Sequence, residues 1–403
     1  MIARARLYPN PRVDRTHPYA DALREILSEH AAATARDEIA RWPGYAPTPL
    51  LSLPGLASRL GVAAIHYKDE SGRFGLGSFK ALGGAYAVYR QLAAAVRDAT
   101  GHMPDAAALA AGTYRDISSR ITVTCATDGN HGRAVAWGAR TFGCRCVIVV
   151  HGTVSKGRVD AIARYGAQVI RDPGGYDDAV RRAASEAAVN GWIVISDTSW
   201  EGYTEIPRDV MHGYTVMADE AIAQLGGQPP PSHVLVQGGV GGVAAAVLAR
   251  LWWQWGAQRP SFIVVEPEQA ACLYESARAG ERVALQGDLH TVMAGLECGE
   301  TSLLAFALLA RGADAFMTVG DAAALAMMCT LADGAGGDPP VVAGESAVAG
   351  LAGAAALAAD PELGAQVGLD GHARVLVFGT EGDTDPVLYR EIVGRSAAQV
   401  RGA

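Results

Sequence analysis

Residues 233–251 read HVLVQGGVGGVAAAVLARL: a short apolar run, a glycine-rich turn and an alanine-rich stretch. An uninterrupted apolar run of strand length, followed by glycines and then by strong helix formers, predicts a buried strand feeding a helix through a tight loop. Main-chain amides at such a helix start approach a phosphate without side-chain hindrance. The same residues fit a dinucleotide fingerprint, Gly239-x-Gly241-x-x-Ala244, with Glu266 ending a later strand roughly 20 residues on, where a ribose hydroxyl would be met. On this stretch alone, a nicotinamide-dependent oxidoreductase stays open.

Working outward, the pattern repeats. ITVTCAT (121–127), CRCVIVV (144–150), AQVIRD (167–172), WIVIS (192–196), SFIVVEP (261–267) and RVLVFGT (374–380) read as strands. Helical patterns such as SKGRVDAIARYG and YDDAVRRAASEAAVNG lie between them. Apolar strands alternating with helices imply an α/β protein with mostly parallel sheets covered on both faces. Such sheets bind ligands at the carboxyl ends of their strands, so the loops that leave strands are where chemistry is expected. The segment 101–114 reads as a surface helix or insertion, and 333–340 as a mobile glycine-rich loop.

Composition removes whole classes. The chain has 403 residues, half of them hydrophobic and 19% charged, with a formal net charge of −8. That is a globular composition of one large unit or two to three domains at ~150 residues each. A mildly acidic chain offers no electrostatic footprint for nucleic acid or an anionic membrane. Six cysteines are too sparse for a disulfide scaffold. Cys144 and Cys146 sit inside an apolar strand, and no metal site is expected. The longest uncharged apolar stretch, Val234 to Ala249, falls short of the ~18 residues a spanning helix needs. MIARARLYPNPRVDR lacks the apolar run of a secretory signal, so a cytoplasmic protein is expected.

Three further loops stand out. In IHYKDESGRFGLGSFKALGGAYAV (65–88) a strand ends near Asp69, and Lys80 falls in the first turn of a helix beginning near Phe79. A cation is disfavoured at that helix end. Its placement among Phe79, Ala81 and Leu82 suits a lysine that forms a Schiff base with a carbonyl cofactor. Its only rivals are Lys68 and Lys156. In ITVTCATDGNHGRAVAWGAR (121–140), helix-start amides and the Asn130 side chain suit an anionic or phenolic oxygen, and His131 reads as structural. In RVLVFGTEGDTDP (374–386), Thr380 leaves a strand directly and presents one hydroxyl, whereas Thr384 or Asp385 reads as a helix cap.

Together these loops resemble the pyridoxal-phosphate enzymes of the tryptophan synthase β-subunit type, fold type II. KDESGRFGL, the lysine followed by Leu-Gly-Gly, ATDGNHGRAVAWGAR, SDTSWEGYTEIP, MAGLECGE, AGESAVAG and TEGDTD are similar to signatures of the diaminopropionate ammonia-lyase family, from about Tyr45 to Tyr389. The resemblance implies two three-layer open α/β domains: a large cofactor-binding one from 1–80 and 200–403, with a small one, 81–199, inserted. It implies that Lys80 carries pyridoxal 5'-phosphate, that Asn130 holds its ring oxygen, that Gly238, Gly239, Val240, Gly241 and Gly242 cradle its phosphate, and that Thr380 meets its pyridine nitrogen.

It also implies catalytic roles for Asp128 and Asp197 beside Lys80, with Ser78, Thr127, Asp128 and Asp197 lining the amino-acid substrate. Asp128 serves the D-isomer. Two carboxylates suit a dicationic substrate. The implied reaction is α,β-elimination of ammonia from 2,3-diaminopropionate, giving pyruvate and ammonia through aminoacrylate, in a homodimer. Two features pull apart. Gly77-Ser78 stands where that family usually has Asn-Ala and is closer to serine and threonine dehydratases, which keeps another pyridoxal-phosphate elimination or replacement enzyme open. Asp128 stands where those dehydratases carry a serine, and favours diaminopropionate. Pairing of Cys272 with Cys298 is left open by the sequence.

Overall fold

A computed structural model describes residues 5–127 and 129–402. Its chain divides into two compact units: the larger runs through Glu29 and takes in Pro47–Gly77 and the chain from Met217 on; the smaller holds His30–Ala46 and Ser78–Val216. Compared with the expected division, the smaller unit also includes 30–46, 78–80 and 200–216, so Lys80 belongs to the smaller unit and not to the larger one.

The larger unit is built on a seven-stranded sheet of order β1-β10-β9-β8-β11-β3-β2. Its strands are β1 (Arg6–Pro9), β2 (Leu50–Ser52), β3 (Ala64–Asp69), β8 (His233–Gln237), β9 (Ser261–Pro267), β10 (Ala315–Val319) and β11 (Arg374–Gly379). The five inner strands run parallel and the two edges antiparallel. The smaller unit carries a parallel sheet of order β6-β5-β4-β7, made of β4 (Thr122–Ala126), β5 (Arg145–Val150), β6 (Gln168–Arg171) and β7 (Ile193–Val194). All five residues of β8 and of β10 are buried, and so are the last five of β5. Consecutive burial on a strand means both faces are covered, as the continuous apolar runs predicted.

Three strands escaped the sequence reading. β10 (AFMTV) follows the apolar helix Leu303–Gly312 with little polar punctuation. β1 and β2 are short, half-buried edges, where alternation has little length in which to show. The segment expected to be a mobile loop, 333–340, is instead pinned. Asp338 is buried and its carboxylate accepts from the Gly55 and Leu56 amides at 2.7 and 2.8 Å. It thereby serves the start of the helix Pro54–Leu60. A side chain at Gly55 would run into the carbonyl oxygen of Ala335.

In the smaller unit, the helix Ala81–Thr100 packs closely on the helix Asn130–Phe142. Small residues make the approach possible: a Cβ on Gly138 would lie 2.8 Å from the Ala85 Cα, and one on Gly84 3.3 Å from the Ala134 Cβ. Gly83 is fitted equally tightly against Val210 and Tyr214 of the helix Glu205–Gln224. Interdigitation at this density leaves the first turn of Ala81–Thr100 little freedom to shift. Whatever sits at its amino end is therefore held in place.

Candidate active site

That amino end is Lys80. It is the N-cap of the helix, one step earlier than expected, and its carbonyl accepts from the Gly83 and Gly84 amides at 3.2 and 2.8 Å. Its Nζ donates to the Asp197 Oδ2 at 2.6 Å. The ammonium lies 5.4 Å from the Phe79 ring centroid and 6.0 Å from that of Tyr214, and the two rings pack at 4.6 Å. The pair is only partly buried, with side-chain exposures of 21% and 18%. Lys80 thus sits on aromatic faces with a carboxylate ahead of it.

Burial drives the Asp197 carboxyl upward, but the charges of Lys80 and His131 outweigh it and hold the group well below the usual carboxylate range. His131 is buried, with Nε2 2.8 Å from the Ile195 carbonyl oxygen and Nδ1 3.8 Å from the Asp197 Oδ2. A carbonyl accepts only, so Nε2 donates and the other ring nitrogen is turned toward Asp197. His131 is structural in its anchoring, as the sequence suggested, and it also faces the acid. Tyr214 gave no signal in the sequence, being one aromatic in the mostly apolar helix Glu205–Gln224.

Asn130 opens its helix, and its Oδ1 accepts from the Arg133 guanidinium at 2.6 Å. The Thr127 hydroxyl oxygen accepts from the Gly129 and Gly132 amides at 3.0 and 3.2 Å, so it fixes the turn that Asn130 leaves. Ser78 is buried. Asp128 lies outside the described residues.

The larger unit holds the glycine loop. β8 ends at Gln237, and the helix Gly242–Trp255 starts directly after Gly241. Gly241 has φ +98°, a conformation side chains resist, and a Cβ there would also meet Leu273, Leu309 and Ala305. A Cβ on Gly239 would come 3.2 Å from the Cys298 Sγ. The Val240 carbonyl is tied to the Ser302 amide at 2.9 Å, which fixes the loop's path. The Gly238 amide, expected in the cradle, is given to the Val265 carbonyl at 2.8 Å; the first-turn amides that follow have no intrahelical acceptors and lie at the positive end of the helix, as a phosphate requires. Cys272 and Cys298 flank it without a disulfide between them, and the Cys272 thiol donates to the Gly239 carbonyl at 3.4 Å. In the same unit the buried Thr380 hydroxyl follows β11 and meets the Gln237 side chain at 2.6 Å. Asp385, not Thr380, caps the next helix, accepting from the Leu388 amide at 3.3 Å.

The dinucleotide reading fails on Glu266. Its side chain is fully buried and its two oxygens accept from the Leu273 and Tyr274 amides at 2.8 and 2.6 Å. It serves the start of the helix Cys272–Ala279, and at 0% exposure it is out of reach of a ribose. In the smaller unit a lysine beside a carboxylate, and in the larger unit a glycine cradle and a strand-end hydroxyl, are each the kind of group that pyridoxal phosphate needs. Among the described residues there is no cluster able to hold a metal ion and no helix long and apolar enough to cross a membrane.

Comparison with known proteins agrees. Residues 41–381 match the family described as pyridoxal-phosphate dependent enzymes. The chain is 41% identical over 372 residues to the diaminopropionate ammonia-lyase of Escherichia coli strain K12, covering 91% of this chain and 92% of that one. The crystal structure of the holo form of the Escherichia coli enzyme, with selenomethionine, superposes with a TM-score of 0.88 at 37% identity over 98% of both chains. That enzyme in complex with an aminoacrylate–pyridoxal phosphate azomethine reaction intermediate superposes with a TM-score of 0.85 at 38% identity over 97% of both. The chain belongs to the diaminopropionate ammonia-lyase family of pyridoxal-phosphate-dependent enzymes.

Proposed function

We propose that the chain removes ammonia from 2,3-diaminopropionate, converting it with water to pyruvate and a second ammonia. The observation that carries this reading is the Lys80–Asp197 pair at 2.6 Å, a cation held on a rigid helix start with a part-buried carboxylate facing it. Bound pyridoxal phosphate supplies a carbonyl for an amine and a conjugated ring that takes up negative charge when Cα loses its proton.

The chain's own groups supply the rest. Lys80 is the covalent anchor and, once displaced by the substrate amine, the amine that takes the Cα proton. Gly239, Val240, Gly241 and Gly242 would hold the phosphate through main-chain amides, with Gly238 anchoring the loop through its own amide on the Val265 carbonyl; Asn130 would hold the ring oxygen, and Thr380 the pyridine nitrogen. Asp197 is placed against the nitrogen of Lys80, so it orients that amine when charged and attracts the second ammonium of the substrate. The family resemblance adds Asp128 as a second carboxylate and Ser78 and Thr127 as groups that line the substrate. The family resemblance further supports a homodimer in the cytoplasm.

The test is release of ammonia and pyruvate from D- and L-diaminopropionate, serine and threonine by the wild type and by Asp128→Asn. Diaminopropionate should be the preferred substrate. The variant should lose at least about tenfold more activity on the D-isomer than on the L-isomer, a difference of about 1.4 kcal/mol. A wild type that turns over serine or threonine and ignores diaminopropionate overturns the reading, and returns the chain to the dehydratases that Gly77-Ser78 resembles.

A further inference from the structure

Gln237 is the last residue of β8, and its side chain is buried. Its Nε2 lies 2.8 Å from the Phe378 carbonyl oxygen and 3.4 Å from that of Ala347. A carbonyl can only accept, so the nitrogen end of the amide is fixed on this side, and flipping the amide would set its oxygen against two others. The same Nε2 lies 2.6 Å from the Thr380 Oγ1. The two amide hydrogens are thus given to Phe378 and Thr380. Thr380 accepts here, and its own hydrogen must point elsewhere.

A threonine hydroxyl ordinarily rotates to donate or accept as its partner requires. Here Gln237 fills one of its two lone pairs and also takes the Phe378 carbonyl, so the Thr380 hydrogen is spent on neither. We propose that Gln237 is a positioning residue that keeps the Thr380 hydrogen free to donate to the pyridine nitrogen of the bound cofactor, favouring that nitrogen as an unprotonated acceptor. The inference rests on the assignment of Thr380 to the pyridine nitrogen. Its consequence is chemical: an unprotonated pyridine is a weaker electron sink, which favours prompt loss of the β-substituent over transamination. Sequence patterns hide such a residue, because a glutamine ending an apolar strand reads only as the strand's polar terminus.

The experiment uses the holoenzyme loaded with 15N-labelled pyridoxal phosphate and reads the pyridine nitrogen shift from pH 6 to 9. The wild type should stay at the unprotonated position throughout. Gln237→Met, of similar length but with no donor, should make the shift titrate within that range. If it does not retain cofactor, Gln237→Glu reads the same contact, because a single carboxyl proton cannot serve both Phe378 and Thr380. Thr380→Ser should keep the wild-type shift, and Thr380→Val should change it. A protonated wild-type nitrogen, or Gln237 variants indistinguishable from wild type, overturns the role of Gln237. A shift unmoved by Thr380→Val shows that Thr380 does not meet the nitrogen, which strikes the underlying assignment and not the geometry of the amide.

Discussion

Lys68 in the larger unit and Lys80 in the smaller one make ammonium–carboxylate contacts of nearly the same length, 2.7 and 2.6 Å. Everything around those contacts differs. Lys68 is fully buried and donates to the Glu220 carboxylate, the Thr48 carbonyl oxygen and the Gln224 side chain. Arg73 joins the same cluster, bonding to Glu70 and Glu220 at 2.7–2.8 Å. Two cations and two carboxylates balance, and the Thr48 hydroxyl bonds to Glu70 at 2.6 Å. Lys80 has the Asp197 carboxylate before it and aromatic rings beside it, and keeps a fifth of its side chain exposed. A lysine whose three hydrogens are all given to buried acceptors is structure. One set on aromatic rings and reachable from solvent is available for chemistry.

The comparison breaks if the roles exchange. Lys80→Ala should abolish covalent retention of pyridoxal phosphate and lower turnover by at least about 10⁴-fold, roughly 5.5 kcal/mol of transition-state stabilisation. Its urea midpoint should fall much less than that of Lys68→Met, because the contact it loses is part-exposed. Lys68→Met should do the opposite. It leaves one buried carboxylate uncompensated, at a cost of about 3–5 kcal/mol in stability, while the folded fraction still binds cofactor on Lys80. Mass spectrometry after borohydride reduction, beside urea unfolding of each variant, reads both. Cofactor found on Lys68 would reverse the assignment.

Asp197→Asn sharpens the smaller unit's half. The amide keeps the shape and loses the charge that orients Lys80, so kcat should fall by about 10²-fold with cofactor still bound. The stability effect has a definite sign. Because the folded-state carboxyl is held below its ordinary value, its contribution is present above the unfolded pKa of ~3.9 and is lost as pH falls through the folded value. Wild type and Asp197→Asn should therefore differ in unfolding free energy at neutral pH and converge at the acid end. A difference that stays constant down to strong acid would mean the Lys80 contact adds nothing to stability.

How far all this was legible depends on whether the signal is local. Lys80 announces itself: a cation at a helix start after a glycine loop is locally unfavourable, and unlike Lys156 it stands among apolar neighbours. The Gly238–Gly242 loop is read from its composition, although composition alone could not separate a monophosphate from a dinucleotide. That needed the Glu266 carboxylate, whose engagement by the Leu273 and Tyr274 amides is a tertiary fact. The same holds for Lys68, Glu70, Arg73 and Glu220. KDESGR marks the cluster as a family motif, but its fourth member lies some 150 residues on, and nothing local in the helix Glu205–Gln224 points to it. Tyr214 and Gln237 were silent for the same reason. The 333–340 segment misled because glycine content signals a turn without saying whether a buried aspartate will pin it.

The smallest expected effect is the most pointed test of the comparison. Lys156 makes an ion pair with Asp160 at 2.5 Å, as short a contact as that of either other lysine. Both side chains are exposed, at 85% and 58%, so water and salt screen the attraction, and holding two long side chains together costs entropy. The order is also unfavourable. Lys156 opens the helix Lys156–Ala163, placing a cation at the positive end of the dipole with its acid four residues on toward the negative end. Alanine is in addition the better helix former. Lys156→Ala should therefore change unfolding free energy by no more than about 0.5 kcal/mol in either direction and leave turnover unaltered. Three lysines with contacts of 2.5–2.7 Å would then give three different outcomes: loss of chemistry, loss of stability, and almost nothing. If Lys156→Ala instead costs as much as Lys68→Met, contact length and not burial governs these pairs, and the distinction between Lys68 and Lys80 loses its physical basis.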